Sequence, residues 1–108
     1  MAVLVVVSPE KELLAACRES ARTIVAVDVE VTDVKSVATD VAKWRPFAIV
    51  IEEDLFAFDP NEFIALARDV AAEVITVPAS TARDELVTVL IPRLKAALRR
   101  WEATEGSH

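Results

Sequence analysis

Two short, uninterrupted apolar runs, Ala2–Val7 and Phe47–Ile51, constrain the fold of this chain more than any other feature. A strand with one wet face alternates apolar and polar residues, whereas a continuous run rich in β-branched residues is typical of a strand covered on both faces by helices. Both runs are far shorter than the roughly 20 apolar residues that span a bilayer. The runs therefore predict central strands of a parallel sheet in an α/β domain.

Helix patterns and an edge strand fill the stretch between the two runs. Ser8 is placed to cap a helix over 9–21, with Pro9 in its first turn. Residues 24–31 alternate valine with residues such as Asp28 and Glu30, which is typical of an edge strand with one wet face. A second helix, capped by Thr32 or Asp33, ends before Pro46. The inward stripe of this helix is predicted to be Val34, Val37, Ala38, Val41 and Trp44.

The second half of the chain continues the alternation. Asp59, Pro60 and Glu62 have the spacing of a helix start, and they precede an inward stripe of Phe63, Leu66, Ala67 and Val70. Residues 73–77 read as the next strand. For 81–101 two interpretations stand: one long helix through Pro92, or a fifth strand over 86–91 followed by a helix. We favour the long helix, because its apolar stripe continues across the proline.

Length and charge restrict the organisation and the partners. A chain of 108 residues is expected to form one domain, over 1–105, and Gly106-Ser107-His108 reads as a tag remnant. The net charge of −6 argues against nucleic acid and favours a neutral or basic protein surface. A basic cluster at 93–100 is read as the solvated face of the last helix. The N-terminal residues lack a secretory pattern, so we expect a cytoplasmic protein that does not enter membranes.

The residue inventory excludes several chemistries. No glycine precedes Gly106, so phosphate-cradling glycine loops are excluded. Zinc sites and hydrolytic triads need histidine or cysteine in sets, and the chain has only Cys17 and His108. We therefore expect no enzyme activity, no cofactor and no metal, with Cys17 an inert buried thiol. Trp44 and Trp101 are expected to line the core at the ends of their helices.

The remaining candidate site follows the second apolar run. Glu52, Glu53 and Asp54 come where open parallel sheets place their ligands, and two interpretations stand for them: a solvated acidic loop, or oxygen ligands for Mg²⁺ together with Asp59. Phe56 and Phe58 follow on a loop, either as exposed anchors for a partner or packed over the next helix. We take Glu53, Asp54, Phe56 and Phe58 as the candidate interaction surface.

The segment Pro46-Phe47-Ala48-Ile49-Val50-Ile51-Glu52 resembles the third strand of receiver domains in bacterial response regulators, which belong to the flavodoxin-like folds. The resemblance covers nearly the whole chain and implies a three-layer αβα sandwich with strand order 2-1-3-4, extended by a fifth strand in the rival interpretation. It places the phosphoacceptor at Glu52 and the family's acidic metal-binding pair at Val7 and Ser8. In one alignment Val77 replaces the family's lysine, and in the other Ser80 or Thr81 matches the switch hydroxyl and the lysine is absent.

The resemblance therefore implies a degenerate receiver that keeps the signalling scaffold without phosphotransfer. On this basis we expect a non-catalytic module in bacterial regulation that binds another protein or forms a homodimer, independently of phosphorylation. The alternative is a sensor that binds Mg²⁺ or a small molecule near Ser8, Glu52 and Ser80.

Overall fold

The computed structural model describes residues 2–8, 10–24, 27–78 and 81–105. Strands and helices alternate along the chain as predicted. The elements are β1 (Ala2–Val7), α1 (Lys11–Thr23), β2 (Val27–Thr32), α2 (Val37–Trp44), β3 (Ala48–Glu52), α3 (Glu53–Phe56), α4 (Pro60–Asp69), β4 (Glu73–Val77) and α5 (Arg83–Glu105). Residues Pro9, Val25, Ala26 and Ser80 and the predicted tag 106–108 lie outside the described residues.

The four strands form one parallel sheet in the order β2-β1-β3-β4. The two apolar runs are its central strands, and β2 and β4 are its edges, so the predicted α/β architecture and strand order are confirmed. The chain moves outward from β1 to β2 and then crosses to the other side of β1 to form β3. The carboxyl ends of β1 and β3 therefore flank the point where the order reverses, which is where open sheets of this flavodoxin-like kind place ligands.

Helices cover both faces of the sheet, and each face has its own core. On one face, α1 and α5 pack over side chains of β1, β3 and β4, with Leu4, Val50 and Leu90 fully buried. On the other face, α2 and α4 pack over the alternate residues of the same strands, including Ile49 and Ile51. Burial on both faces explains why β1 and β3 carry no polar residue before Glu52.

The last helix runs through Pro92, so the long-helix interpretation is confirmed and a fifth strand over 86–91 is wrong. Leu86, Leu90 and Leu94 are buried at helical spacing, while Pro92 lies on the exposed side of α5. Burial of that stripe against α1 and the sheet outweighs the loss of one backbone hydrogen bond at the proline. No helix among the described residues is long and apolar enough to span a membrane.

Several predicted boundaries need correction. Helix α1 starts at Lys11 with Glu10 at its N-cap position, so Ser8 is not the cap. Strand β2 starts at Val27, because Ile24 ends α1 instead. Helix α2 starts only at Val37, since the Asp33 carboxylate accepts the Ser36 N–H and closes a separate turn before it. Finally, β3 extends one residue further than predicted and includes Glu52.

Fewer residues of the predicted inward stripe of α2 are buried than the spacing predicts. Val37 and Val41 are buried, but Val34, Ala38 and Trp44 are exposed. Trp44 therefore does not line the core, and the Lys43 ammonium lies 4.8 Å from the centre of its ring. Trp101, by contrast, is half-buried against the α1/α5 core, as expected. Helix α2 carries more apolar residues than its one buried side accommodates. The sequence pattern alone therefore overstates how many of these residues are buried.

Candidate functional site

Glu52 ends β3 and is a buried carboxylate, 9% exposed. Side chains alternate along a strand, so Glu52 projects to the same face as Ala48 and Val50, the face covered by α1 and α5. It also occupies the N-cap position of α3, but its side chain makes no capping hydrogen bond there. The Glu52 carboxylate is thus directed into the fold rather than onto the exposed acidic helix that follows it.

Ser8 holds this carboxylate. The Ser8 hydroxyl donates a hydrogen bond to Oε1 of Glu52 and accepts one, of 2.9 Å, from the backbone N–H of Glu10. The sheet register pairs Val7 with Ile51, which brings the first residue after β1 beside the last residue of β3. A buried hydroxyl, itself 3% exposed, therefore links the two central strands across the point where the strand order reverses.

The surroundings of Glu52 do not match those of a phosphoacceptor. The residue paired with it in β4 is Val77, which is 1% exposed and contributes only a methyl surface. A cavity of about 340 Å³ opens next to it, lined by Glu10, Glu12, Leu13, Glu52, Val77, Pro78, Thr81, Ala82 and Leu86. This lining contains no basic side chain. Within the part of the chain that the structure describes, no group of three or more metal-ligating side chains comes together.

The other members of the acidic cluster lie outside this pocket. Glu53 and Asp54 are exposed in the first turn of α3, a helix of only one turn that the sequence analysis treated as a loop. The structure therefore separates Glu52 from its two neighbours in sequence instead of bringing the three carboxylates together as Mg²⁺ ligands. Asp59 serves as the N-cap of α4 and accepts the N–H of Glu62, as predicted from the spacing.

The two candidate phenylalanines differ in their surroundings. Phe56 is half-buried and stacks on Phe63 of α4, with 6.1 Å between ring centres and 30° between ring planes. Phe58 lies in the turn between α3 and α4 and is 83% exposed, the most exposed large apolar side chain among the described residues. Three residues of the predicted interaction surface thus face solvent, namely Glu53, Asp54 and Phe58. The fourth, Phe56, packs against Phe63 of α4.

A wider cleft, of about 680 Å³, lies on the other side of Ser8 at the carboxyl ends of β1 and β2. Its apolar lining comes from Val7, Val31, Val34 and Leu55, and Val34 and Val31 are largely exposed. Thr32, buried at its base, donates a hydrogen bond to Asp40 of α2. No sequence pattern indicates this cleft, because the helical spacing of Val34 predicts a buried position in a longer helix.

Cys17 is buried in α1 and free, as predicted. Burial raises the pKa of its thiol from 9.0 to about 12, because the thiolate would lose its hydration inside the core. The thiol is therefore protonated at neutral pH and unsuited to nucleophilic or metal chemistry.

Comparison of the chain with protein-family models, with curated proteins and with solved structures finds no match.

Proposed function

We propose that this chain is a receiver-like binding domain that docks a protein partner through the turn after β3 and does not transfer phosphate. The observation that carries the proposal is the exposure of Phe58, 83%, between the carboxylates of α3 and that of Asp59. A large aromatic side chain left in water is unusual in a domain whose other phenylalanines pack against the fold, and exposed aromatic residues are enriched among the anchors of protein interfaces.

The surroundings of Glu52 support the non-catalytic part of this proposal. A phosphoacceptor must present a free carboxylate oxygen to solvent, a metal ion and a phosphodonor. Here the carboxylate is buried and held by Ser8, and its strand partner is Val77 where the resemblance implies a lysine. The strand order agrees with the order that the resemblance to receiver domains implies, and the proposed role in bacterial signalling rests on that analogy of fold.

Charge defines the class of partner. Glu53, Asp54 and Asp59 surround Phe58 in sequence and are all exposed, in a chain with a net charge of −6. A partner that buries Phe58 must bring these carboxylates close to its own surface, so it needs an apolar pocket bordered by basic side chains. Exposed charges of this kind mainly raise the association rate and the specificity, and their effect decreases with salt.

A second candidate function, a small-molecule sensor, is favoured by one observation, the 680 Å³ cleft at the carboxyl ends of β1 and β2. A ligand bound there raises the melting temperature by an amount that grows with the ratio of its concentration to its Kd. Thermal melts with Mg²⁺ alone and with a panel of small metabolites test this candidate, and Val34→Asp is the variant that should remove any stabilisation.

The protein-binding proposal is tested by affinity capture from a lysate of the source organism with the wild-type chain, Phe58→Ser and Val89→Ser. Val89 is the matched control, because it is also an exposed apolar side chain, 47% exposed, but lies on α5. We expect specific proteins that the wild type and Val89→Ser retain and Phe58→Ser loses. Equal retention by all three chains would contradict the proposal.

A further inference from the structure

Exposed carboxylates predominate at the carboxyl ends of the strands, and exposed basic residues predominate where the helices end, near the amino ends of the strands. At the carboxyl ends the exposed acidic residues include Glu10, Asp33, Glu53, Asp54 and Asp59, with the basic residues Lys11, Lys35 and Arg83 among them. At the other end the exposed basic residues include Arg22, Arg45, Arg68, Arg99 and Arg100, with the acidic residues Asp69 and Glu102 among them. This distribution matches the helix dipoles, which favour acidic residues at helix N-termini and basic residues at C-termini.

A small pocket, the basic pocket, lies at the amino ends of β3 and β4, where exposed basic residues predominate. It has a volume of about 290 Å³, and its small apolar side chains are Ala71, Ala72 and Ala97. Ala71 has a left-handed backbone conformation, with φ of 57°, where the chain turns from α4 into β4. Arg68 and Arg100 also line this pocket, together with the acidic residue Glu73. Arg100 pairs with Glu73, whereas Arg68 makes no ion pair with any described residue.

The basic pocket complements the turn that carries Phe58. A phenyl ring needs an apolar floor, which the alanines provide, and it gains further attraction from a guanidinium above its face. The carboxylates that border Phe58 would meet Arg68, which makes no ion pair with any described residue, while Arg100 is already paired with Glu73. Chemically, this pocket is the kind of partner surface that the acidic turn requires.

We propose that Phe58 of one chain inserts into the basic pocket of a second copy of the same chain. This inference rests on the proposed function, because it assigns a partner to the same surface. Phe58 follows the carboxyl end of β3, and the pocket lies at the amino end of β3 and β4, so the two surfaces are at opposite ends of the same strand. The contact is therefore head-to-tail, and each copy that binds leaves one turn and one pocket free for further copies.

The expected assembly is weak and salt-sensitive. One aromatic anchor with a few charge pairs buries less than the roughly 1,200 Å² of a stable interface. Association should therefore appear only at high chain concentration and decrease as salt screens the exposed charges. Removal of the anchor is expected to weaken association by about tenfold or more, as for the central residue of an interface.

Sedimentation velocity from micromolar to millimolar chain tests this inference with two blocking variants. Phe58→Ser removes the anchor and leaves the pocket intact. The double variant Arg68→Glu/Ala71→Asp reverses the charge of the pocket and leaves the anchor intact; both positions are exposed, and aspartate tolerates the left-handed backbone at residue 71 better than most residues. Val89→Ser is the control for a change of exposed apolar surface elsewhere.

We expect the sedimentation coefficient of the wild type and of Val89→Ser to rise with concentration and to return toward the monomer value at high salt. Each blocking variant alone should remain monomeric. An equimolar mixture of the two should form a dimer that does not grow, because one intact turn meets one intact pocket and the other ends are blocked.

Two results would overturn the head-to-tail contact: a wild type that stays monomeric throughout, or a pocket variant that still associates on its own. Its failure is distinguishable from failure of the proposed function. A monomeric wild type combined with Phe58-dependent capture of another protein rejects only the second copy as partner, whereas the loss of both observations rejects the binding surface itself.

Discussion

Glu52 at the end of β3 and Phe58 in the turn between α3 and α4 are close in sequence, yet their side chains lie in opposite environments. The carboxylate, which water would solvate well, is buried and held by Ser8, and the aromatic ring, which water solvates poorly, is exposed. Burial of a carboxylate is costly unless it is hydrogen-bonded, and exposure of an aromatic ring forgoes the gain from its burial. We take this contrast as support for the proposal that this end of the sheet serves as a contact surface and not as a reaction site.

The largest expected difference in stability separates Phe58 from Phe63. Phe63 is 2% exposed in the α2/α4 core, so Phe63→Ala should lower the free energy of unfolding by about 3–5 kcal/mol. Phe58→Ala should change the free energy of unfolding by less than about 0.5 kcal/mol, because the exposed ring makes few contacts with the rest of the chain. Urea denaturation at a chain concentration low enough to exclude association measures both values.

Phe63→Leu keeps the comparison measurable if the alanine variant does not fold, since leucine leaves a smaller cavity than alanine and should cost less stability. A loss of more than about 1 kcal/mol for Phe58→Ala would break the contrast, because it would mean that the ring packs against the domain in solution.

A smaller effect is expected for the pair of Ser8 and Glu52. Ser8→Ala leaves the buried carboxylate without its hydroxyl donor and should cost about 1–3 kcal/mol of unfolding free energy. In the double variant Ser8→Ala/Glu52→Gln, the loss should be smaller than the sum of the two single losses, because the two residues interact directly. Chemical denaturation of the four chains gives the coupling energy.

Glu53→Gln is the matched control for Glu52→Gln, since it makes the same change at the next, exposed residue and should alter stability by less than about 0.5 kcal/mol. Strictly additive losses for Ser8 and Glu52, or equal losses for Glu52→Gln and Glu53→Gln, would show that the carboxylate is not held in the fold as described.

For phosphorylation we expect no effect at all. Incubation of the wild type with acetyl phosphate and Mg²⁺ should leave its intact mass unchanged, because Glu52 is buried and the residue paired with it in β4 is Val77. Glu52→Asp, which introduces the shorter carboxylate that the resemblance to receiver domains implies at this position, should also remain unmodified. A mass gain of one phosphoryl group that is lost in Glu52→Gln would contradict the non-catalytic part of the proposed function.

The fold follows from local patterns to a large extent. The apolar runs of β1 and β3 identify the buried strands, and the spacing from Asp59 to Glu62 identifies the start of α4, because both signals depend on a few neighbouring residues. The unbroken stripe from Leu86 to Ala97 identifies α5 despite Pro92. The boundaries of α2 could not be found in this way, since an aspartate turn at Asp33 competes with the helix for the same residues.

The acidic residues of the site could be predicted from the sequence, but their arrangement could not. Glu52, Glu53 and Asp54 are adjacent in sequence, and only the extent of β3 decides which of them is directed into the fold. The partner of Glu52 is Ser8, 44 positions away, and only the register between β1 and β3 brings them together. The alternation along β3 would have placed Glu52 on the side of Ala48 and Val50 once its last residue was known. The basic pocket joins residues of α4, β4 and α5, so no sequence window contains it.

The most direct test of the contrast uses fluorine NMR of the chain with 4-fluorophenylalanine at its four phenylalanine positions, assigned through single Phe→Leu variants. In dilute solution, a soluble paramagnetic agent should broaden the Phe58 resonance strongly and leave those of Phe47 and Phe63, which are buried, nearly unchanged. As chain concentration rises, the Phe58 resonance should become protected while the buried ones stay constant. A Phe58 resonance that is protected even at the highest dilution would contradict the account, because the ring would then be part of the core and unable to serve as an anchor.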